Sequence, residues 1–380
     1  MALGPLMTAL RSISWEIDSV DNLDHTKRGQ LKCCENGSKL DDFFSDTKTK
    51  PTVAMREVVL TCAVGDEQKD EDPTTEELCV RVASLLGKEA AVFLPSGTMC
   101  NEIAINVHTN PGDDLICEKS CHIVNFETGG PSAISGVMIN ALNGERGIFD
   151  EEQLASALRP RSRHAPRTSL VCVEQTANMG GGAIWPLETL QAVARTALSS
   201  GLKTHMDGAR LMNAAVKTAV SPAEYAAGFN SVWIDFTKGL GAPVGAVLAG
   251  SQDFITEAWR VKQRLGGAMR QSGIVASMCL YALDHHVDRL ADDHELATHL
   301  GARIAALSGV ERVLPVDTNI VIFDLADDVP DAAKLAAALD ADGIVIGAFG
   351  HRRVRVVTHL DVTPSAGIRL VERLEHHLGG

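Results

Sequence analysis

Ser231-Val232-Trp233-Ile234-Asp235-Phe236-Thr237-Lys238-Gly239-Leu240-Gly241-Ala242-Pro243 is an apolar run that breaks into a glycine-rich turn. A short apolar run closed by glycines fits a strand buried on both faces. The turn holds Lys238 directly behind that strand. Partial burial there would lower the pKa of the amine and free it to attack a carbonyl, while the glycines let the backbone close around a bound ring. Taken alone, a lysine in a turn also reads as a solvent-facing side chain.

Similar apolar runs lie at residues 91–94, 114–117, 169–174, 203–207 and 244–249, and residues 76–86 and 188–198 between them carry apolar positions at helical spacing. Strands alternating with helices predict βαβ units and a mainly parallel sheet, an α/β fold. A helix-like stretch follows at 255–264, and the strongly apolar residues 273–283 predict a buried helix. From residue 284 onward the pattern gives helices at 296–307 and 332–339 and strands at 320–325 and 353–358, a small α+β unit. The expected organisation is an N-terminal extension over 1–42, a large α/β domain over 43–283 and a small C-terminal domain over 284–380.

The chain has 380 residues, enough to enclose a pocket, and its 45% hydrophobic and 22% charged residues exclude wholesale disorder. A formal charge of −14 repels phosphate backbones and anionic membranes, so neither nucleic acid nor membrane is an expected partner. No apolar run reaches the roughly 20 residues of a membrane helix. The nine cysteines are odd in number and show no C-x-x-C spacing, which fits a reducing cytoplasm. Cys117, Cys121 and His122 are the nearest approach to a metal pattern, and small buried thiols without a metal are the expected reading.

Two further motifs fall where strands should end, the place where open α/β sheets bind ligands. Pro95-Ser96-Gly97-Thr98 is a small-residue turn before a helical stretch, able to offer backbone N–H groups, hydroxyls and the positive end of a helix to an anion. A plain helix cap would look the same. His205-Met206-Asp207-Gly208-Ala209-Arg210 puts an acid at a strand end, where it can keep a ring nitrogen protonated or cap the next helix. An anion turn, a strand-end acid and, 31 residues after that acid, a turn lysine give the phosphate, ring nitrogen and aldehyde of pyridoxal 5'-phosphate one partner each.

These residues resemble the L-threonine aldolases, fold-type I pyridoxal-phosphate enzymes of the aldolase and β-eliminating lyase group. The likeness runs from Phe43 to Asp361 and includes Ser45-Asp46-Thr47, Glu71-Asp72-Pro73-Thr74, His122 with Gly129-Gly130, residues 266–271, and Arg355 with Thr358-His359-Leu360-Asp361. It implies the aspartate-aminotransferase architecture, with a large domain of mainly parallel sheet and a small C-terminal α+β domain. By this resemblance Lys238 carries the cofactor covalently, Asp207 pairs with the pyridinium, and Ser96, Gly97 and Thr98 hold the phosphate. Arg270 would reach a phosphate in the neighbouring subunit. His122 would stack on the ring, Arg210 would lie beside it, and Ser45, Arg210 and Arg355 would anchor the substrate carboxylate, fixing which Cα bond breaks.

The implied enzyme is a cytoplasmic lyase of amino-acid metabolism that releases glycine and an aldehyde from a β-hydroxy-α-amino acid such as L-threonine or L-allo-threonine. It would be a homodimer with shared active sites, paired into a homotetramer. Family members usually carry Tyr and Gly where this chain has Lys69 and Asp70, and Glu-Asn-Thr-His-Asn where it has Glu174-Gln175-Thr176-Ala177-Asn178. Ala177 can neither accept a proton nor hydrogen-bond a substrate hydroxyl. Lys69 adds a cation near the expected substrate mouth, suited to a second anionic group, or is simply a solvated lysine. The alternatives are β-elimination or aldol transfer on a different β-substituted amino acid and, outside the enzymes, a regulatory descendant. Retention of Lys238, Asp207 and Arg355 speaks against the last.

Overall fold

The computed structural model describes residues 40–379. Of the N-terminal extension expected over 1–42, residues 1–39 lie outside that range. The first strand, β1 (Asp41–Asp42), stands apart from the large sheet. That sheet is made of β2 (Ala90–Leu94), β3 (Asp114–Glu118), β4 (Met138–Leu142), β5 (Thr168–Glu174), β6 (Lys203–Asp207), β7 (Ser231–Asp235) and β8 (Ala246–Gly250). Among the described residues its strand order is β2-β8-β7-β6-β5-β3-β4.

β3, β7 and β8 are buried at every residue, and apolar side chains fill their centres, Leu115–Cys117 in β3, Val232–Ile234 in β7 and Ala246–Ala249 in β8. Alternate side chains go to opposite faces. Phe93, Ile116, Val171, Val232 and Ile234 enter one core, while Val92, Leu94, Trp233 and Leu248 enter another with the helices Gly97–His108 and Gln252–Arg264. β8 pairs antiparallel with both neighbours, β2 and β7. Only residues 236–245 join β7 to β8, too few for the crossover that a parallel return requires.

β4 has its apolar residues interrupted by Asn140 and lies at the sheet edge with two exposed residues, so it leaves no clear buried-strand signature in the sequence. The expected buried helix is Gly273–His285. Helices start where their caps dictate: Asp72 accepts from the Thr75 N–H ahead of Pro73–Leu85, and Ser96 from the Met99 N–H ahead of Gly97–His108.

The C-terminal part builds a second sheet from β9 (Val310–Val313), β10 (Ile320–Leu325), β12 (Gly347–Ala348) and β13 (Arg353–Val357), all antiparallel. β11 (Ile344–Val345) pairs in parallel with β1, Asp41 opposite Ile344. Phe43, fully buried, continues this attachment and packs with Val321, Phe323, Val354 and Val356 of the C-terminal core. The chain therefore touches the small domain before it builds the large one. The closing helix Pro364–Gly379 also lines that core through Leu370 and Leu374 and was not foreseen from the sequence.

No described helix is long and apolar enough to cross a membrane. Cys117, Cys121 and Cys172 are free thiols buried among Leu115, Ile123 and Leu170. Phe43→Ala should remove a buried aromatic anchor of the N-terminal segment and cost about 3–5 kcal/mol, read as a lowered unfolding midpoint.

Candidate active site

The carboxyl ends of β3, β5, β6 and β7, together with the end of β2, deliver the chemically capable side chains to one edge of the sheet. At the end of β2 the chain turns into helix Gly97–His108, with Ser96 and Thr98 exposed at its start. The first N–H groups of that helix, those of Gly97 and Thr98, precede any intrahelical acceptor and can serve an anion. Gly97 is required by packing, because a Cβ there would stand 2.2 Å from Cη2 of Trp233. The indole thus sets how closely the helix start approaches the sheet.

Asp207 ends β6 and is 4% exposed. Its Oδ1 accepts from the Ala209 N–H at 3.0 Å and its Oδ2 from Asn101 Nδ2 at 2.9 Å. The same amide donates to Glu127 Oε1 at 2.7 Å, and Asn101 Oδ1 accepts from Trp233 Nε1 at 2.7 Å and His205 Nε2 at 3.1 Å. Indole N–H only donates, so Oδ1 must be the acceptor and Nδ2 must face the two carboxylates. His205 Nδ1 then accepts from Ser231 Oγ at 2.8 Å, and that oxygen accepts from His108 Nε2 at 2.8 Å. Burial pushes His205 and His108 down to about 3, leaving both rings uncharged behind Asp207. The donors of this chain run from His108 through Ser231 and His205 to Asn101, whose amide divides between Asp207 and Glu127.

His122 follows β3 and heads the helix His122–Asn125, its side chain 35% exposed. Its N–H donates to Glu174 Oε2 at 2.6 Å and its Nδ1 meets Glu127 Oε1 at 2.8 Å. Burial opposes a charge on this imidazole, but the Glu127 hydrogen bond and the carboxylates of Asp207, Glu127 and Glu174 push its pKa upward. The Lys238 ammonium pairs with Asp235 Oδ2 and lies 5.7 Å from the Trp233 ring centroid. Asp235 Oδ1 is held by the N–H and hydroxyl of Thr237, both at 2.8 Å. Thr49 Oγ1 donates to the Lys238 carbonyl at 2.9 Å, drawing the N-terminal segment to the lysine turn.

Arg210 forms a bidentate pair with Asp46, both bonds 2.7 Å, and both residues are buried. Burial alone would raise the Asp46 carboxyl, but the Arg210 charge and hydrogen bonds, with Lys238 and Asn319 assisting, hold it far below the usual carboxylate range. Arg355, on β13, is 5% exposed and has no carboxylate partner among the described residues. Its Nη1 donates to Asn178 Oδ1 at 2.9 Å, its Nη2 donates to the Phe44 carbonyl at 3.1 Å, and its Nε is buried with no partner. The Phe349 ring lies 4.2 Å beneath the guanidinium. Burial, then the neighbouring Arg210 charge, pull Arg355 down to about 10, with Asp46 opposing them. Asn178 Oδ1 also receives Arg210 Nη1 at 3.4 Å, so it bridges the two arginines. Ser45 is buried beside them, with its Oγ 3.4 Å from Asp46 Oδ1.

Lys238, Asp207, His122, Arg210, Arg355, Ser45 and the 96–98 turn thus gather on elements that converge at one end of the large sheet. Lys69 and Arg270 do not bond to that group. Both are exposed on a pair of loops tied by the Glu67 N–H to the Arg270 carbonyl at 2.9 Å, and Arg270 pairs with Asp66. Ala177 is buried, and a Cβ on Gly147 would lie only 2.6 Å from its methyl group. The sequence reading did not single out Asp46, Asn101, Glu127 or Asp235, and it noted Asn178 only within a motif. Asp235 stood visible, three residues before Lys238; the others act across more distant positions.

Comparison with known proteins agrees with this architecture. The beta-eliminating lyase family matches residues 42–328. The chain is 39% identical over 330 residues to low-specificity L-threonine aldolase 1 of Arabidopsis thaliana, covering 85% of this chain and 92% of that relative. It is 35% identical over 323 residues to the low specificity L-threonine aldolase of Escherichia coli K12, covering 85% and 94%. The fold superposes on the threonine aldolase of Leishmania major with a TM-score of 0.77 at 21% identity, covering 89% of this chain and all of that one.

Asp46→Asn should leave the buried Arg210 charge uncompensated and cost about 3–5 kcal/mol in unfolding free energy. Because pairing lowers the Asp46 carboxyl in the folded state, the native contribution is full at neutral pH and fades as pH falls through and below the ordinary carboxylate range. The gap in unfolding midpoint between the native chain and the variant should therefore hold from neutral pH down to about pH 4 and narrow steadily below it.

Proposed function

The chain belongs to the beta-eliminating lyase family and, among its members, to the threonine aldolases, and we propose that it cleaves the Cα–Cβ bond of a β-hydroxy-α-amino acid to glycine and an aldehyde. The observation that carries the substrate assignment is Arg355: a buried guanidinium beside the Lys238 and Asp207 cluster, with no carboxylate partner and an unused Nε–H. A buried cation without a counter-ion is costly, and an amino-acid carboxylate would supply the missing charge through two parallel hydrogen bonds. Arg210 is already matched by Asp46, so it would help fix the carboxylate rather than carry it alone. L-Threonine and L-allo-threonine fit this description.

Pyridoxal phosphate is the cofactor of this family, and the residues present suit it. Gly97 lets the helix start settle on the Trp233 ring with its first N–H groups free for a phosphate, and Asp207 at the end of β6 presents a carboxylate held by Asn101 and the Ala209 N–H. When bound, the cofactor supplies an electron sink for the pair released as Cα–Cβ breaks. Lys238 would hold it covalently, the Gly97 and Thr98 N–H groups with the Ser96 and Thr98 hydroxyls would hold its phosphate, and Asp207 would keep its ring nitrogen protonated. His122 would stack on the ring. With Nδ1 engaged by Glu127, its Nε2 is the nitrogen left to take the β-hydroxyl proton, directly or through a water.

Lys69 and Arg270, standing outside their own subunit's cluster, suit service to a neighbouring copy, and we assign the enzyme to a homodimer with shared sites, paired into a tetramer. The exposed Val53, Leu60, Val64, Val80 and Ile274 support such burial. The compartment proposed is the cytoplasm, and the division into 1–42, 43–283 and 284–380 is kept as the domain organisation. Ala177 favours one second reading, β-elimination or aldol transfer on a different β-substituted amino acid. Its methyl group packs against Gly147 and offers no group to a substrate hydroxyl.

Three measurements test these assignments. Cofactor-loaded protein incubated with L-threonine, L-allo-threonine, phenylserine and 3-hydroxyaspartate should release glycine with the matching aldehyde, whereas ammonia with a keto acid would move it to elimination. Lys238→Ala should lose the visible absorption band of lysine-bound cofactor, and a variant that kept the band and turned over normally would overturn the role given to that residue. Arg355→Ala should lower kcat/KM by about 100-fold, the scale of a lost charged hydrogen-bonding partner at 2–3 kcal/mol.

A further inference from the structure

Behind His122 lies a second carboxyl that the cleavage chemistry leaves unused. Glu102 follows Asn101 on helix Gly97–His108, is 3% exposed, and has no hydrogen-bond partner at either oxygen. Its neighbour Glu127 is 6% exposed; Oε1 accepts from both Asn101 and His122, while Oε2 is buried without a partner. Space for Glu102 exists because residue 130 is glycine: a Cβ there would stand 1.9 Å from Glu102 Oε1. The sequence thus makes room for a carboxyl group against another carboxyl group.

Two ionised carboxylates in contact, away from water, repel each other strongly, and a single shared proton removes the repulsion. A proton on Glu102 donated to Glu127 Oε2 would also give partners to two of the three orphaned oxygens. Glu127 Oε1 must then stay an acceptor, which obliges His122 to donate from Nδ1. We propose that Glu102 and Glu127 share one proton and act as a positioning pair that keeps His122 in its Nδ1–H form, with Nε2 free to accept. This rests on the reading of His122 as the group beside the reacting β-hydroxyl.

The consequence is a control on charge. A doubly ionised pair would hold a second proton on His122 and remove its capacity as a base. Burial, then the charge of the neighbouring Glu127, pushes Glu102 up to about 8. The other neighbours bear on it less. The packed helix Gly130–Ser135 brings no ionisable side chain; β6 brings Asp207 and the uncharged His205 to Asn101; β7 brings Asp235; β5 brings Glu174 to the His122 N–H. From helix Gln252–Arg264, Arg264 reaches only Asn106, at 3.3 Å, and Lys262 is held by Glu67.

The test is an infrared pH titration of the cofactor-loaded enzyme without substrate, native and E102Q, joined to the pH profile of kcat. The native protein should show, beside the Glu174 acid that fades near pH 7, a C=O band of a buried carboxylic acid that persists to higher pH and fades through about 8, and E102Q should lack that higher-pH band. Glu102→Gln supplies a permanent donor, so the alkaline limb of kcat should move up by about one pH unit or more, whereas Glu102→Leu removes the donor and should lower kcat about tenfold with KM held, the worth of one hydrogen bond at roughly 1.4 kcal/mol. Absence of the band from the native protein, its persistence in E102Q, or an unmoved alkaline limb would overturn the proposal. If no substrate yields glycine while the band behaves as expected, the functional reading fails and the shared proton stands.

Discussion

The bidentate pair between Asp46 and Arg210 is the contact on which the site is hung. It joins residues 164 positions apart, buries both charges, and takes a third bond from Asn319 of the C-terminal domain to Asp46 at 3.1 Å. One carboxylate therefore ties the N-terminal segment to the strand-end acid motif of the large domain and to the small domain. Buried pairs of this kind contribute little net stability, but breaking one side of them is expensive, and that cost fixes geometry. The match between Asp46 and Arg210 also leaves Arg355 as the guanidinium with no carboxylate of its own.

Asn101 performs the same office on the cofactor side. Its amide is oriented by an indole that can only donate, so its NH2 group is committed to Asp207 and Glu127 at once. Behind it two uncharged histidines and Ser231 pass hydrogen bonds in one direction, toward Asp207. A connected chain of hydrogen bonds in a low-dielectric setting holds Asp207 still. The groups assigned to the ring nitrogen and to the ring face, Asp207 and His122, thus share one support and do not move independently.

The departures from the family pattern acquire physical meaning in the fold. Asp70 stands with φ of +56°, a left-handed conformation in which glycine is free of strain and aspartate is among the better tolerated residues. Ala177 packs beside Gly147 so closely that a Cβ on residue 147 would run into its methyl group. Asn178, the next residue, contributes what that segment gives the site, an amide oxygen shared by two arginines.

The sequence by itself determined the sheet and the pyridoxal-type residue set. Buried strands are apolar at their centres, turns that close on a ring need glycine, and caps need Ser or Asp, so 232–234, 239–241, Ser96 and Asp72 announce their places locally. Lys238 was legible because it follows such a strand, and Asp207 because it stands before Gly208 at a strand end. The edge strand β4 and the closing helix were not: one has its apolar residues broken by Asn140, and the other has an amphipathic pattern in a stretch rich in charge. Only the tertiary structure decided that Asp46 neutralises Arg210, that Asn101 orients Asp207, and that Glu102 meets Glu127, contacts between elements whose separation in the chain carries no trace of their separation in space. Local propensity acts over a few residues and can be read in order, whereas the matching of buried charges is settled by which side chains the packed core leaves without water.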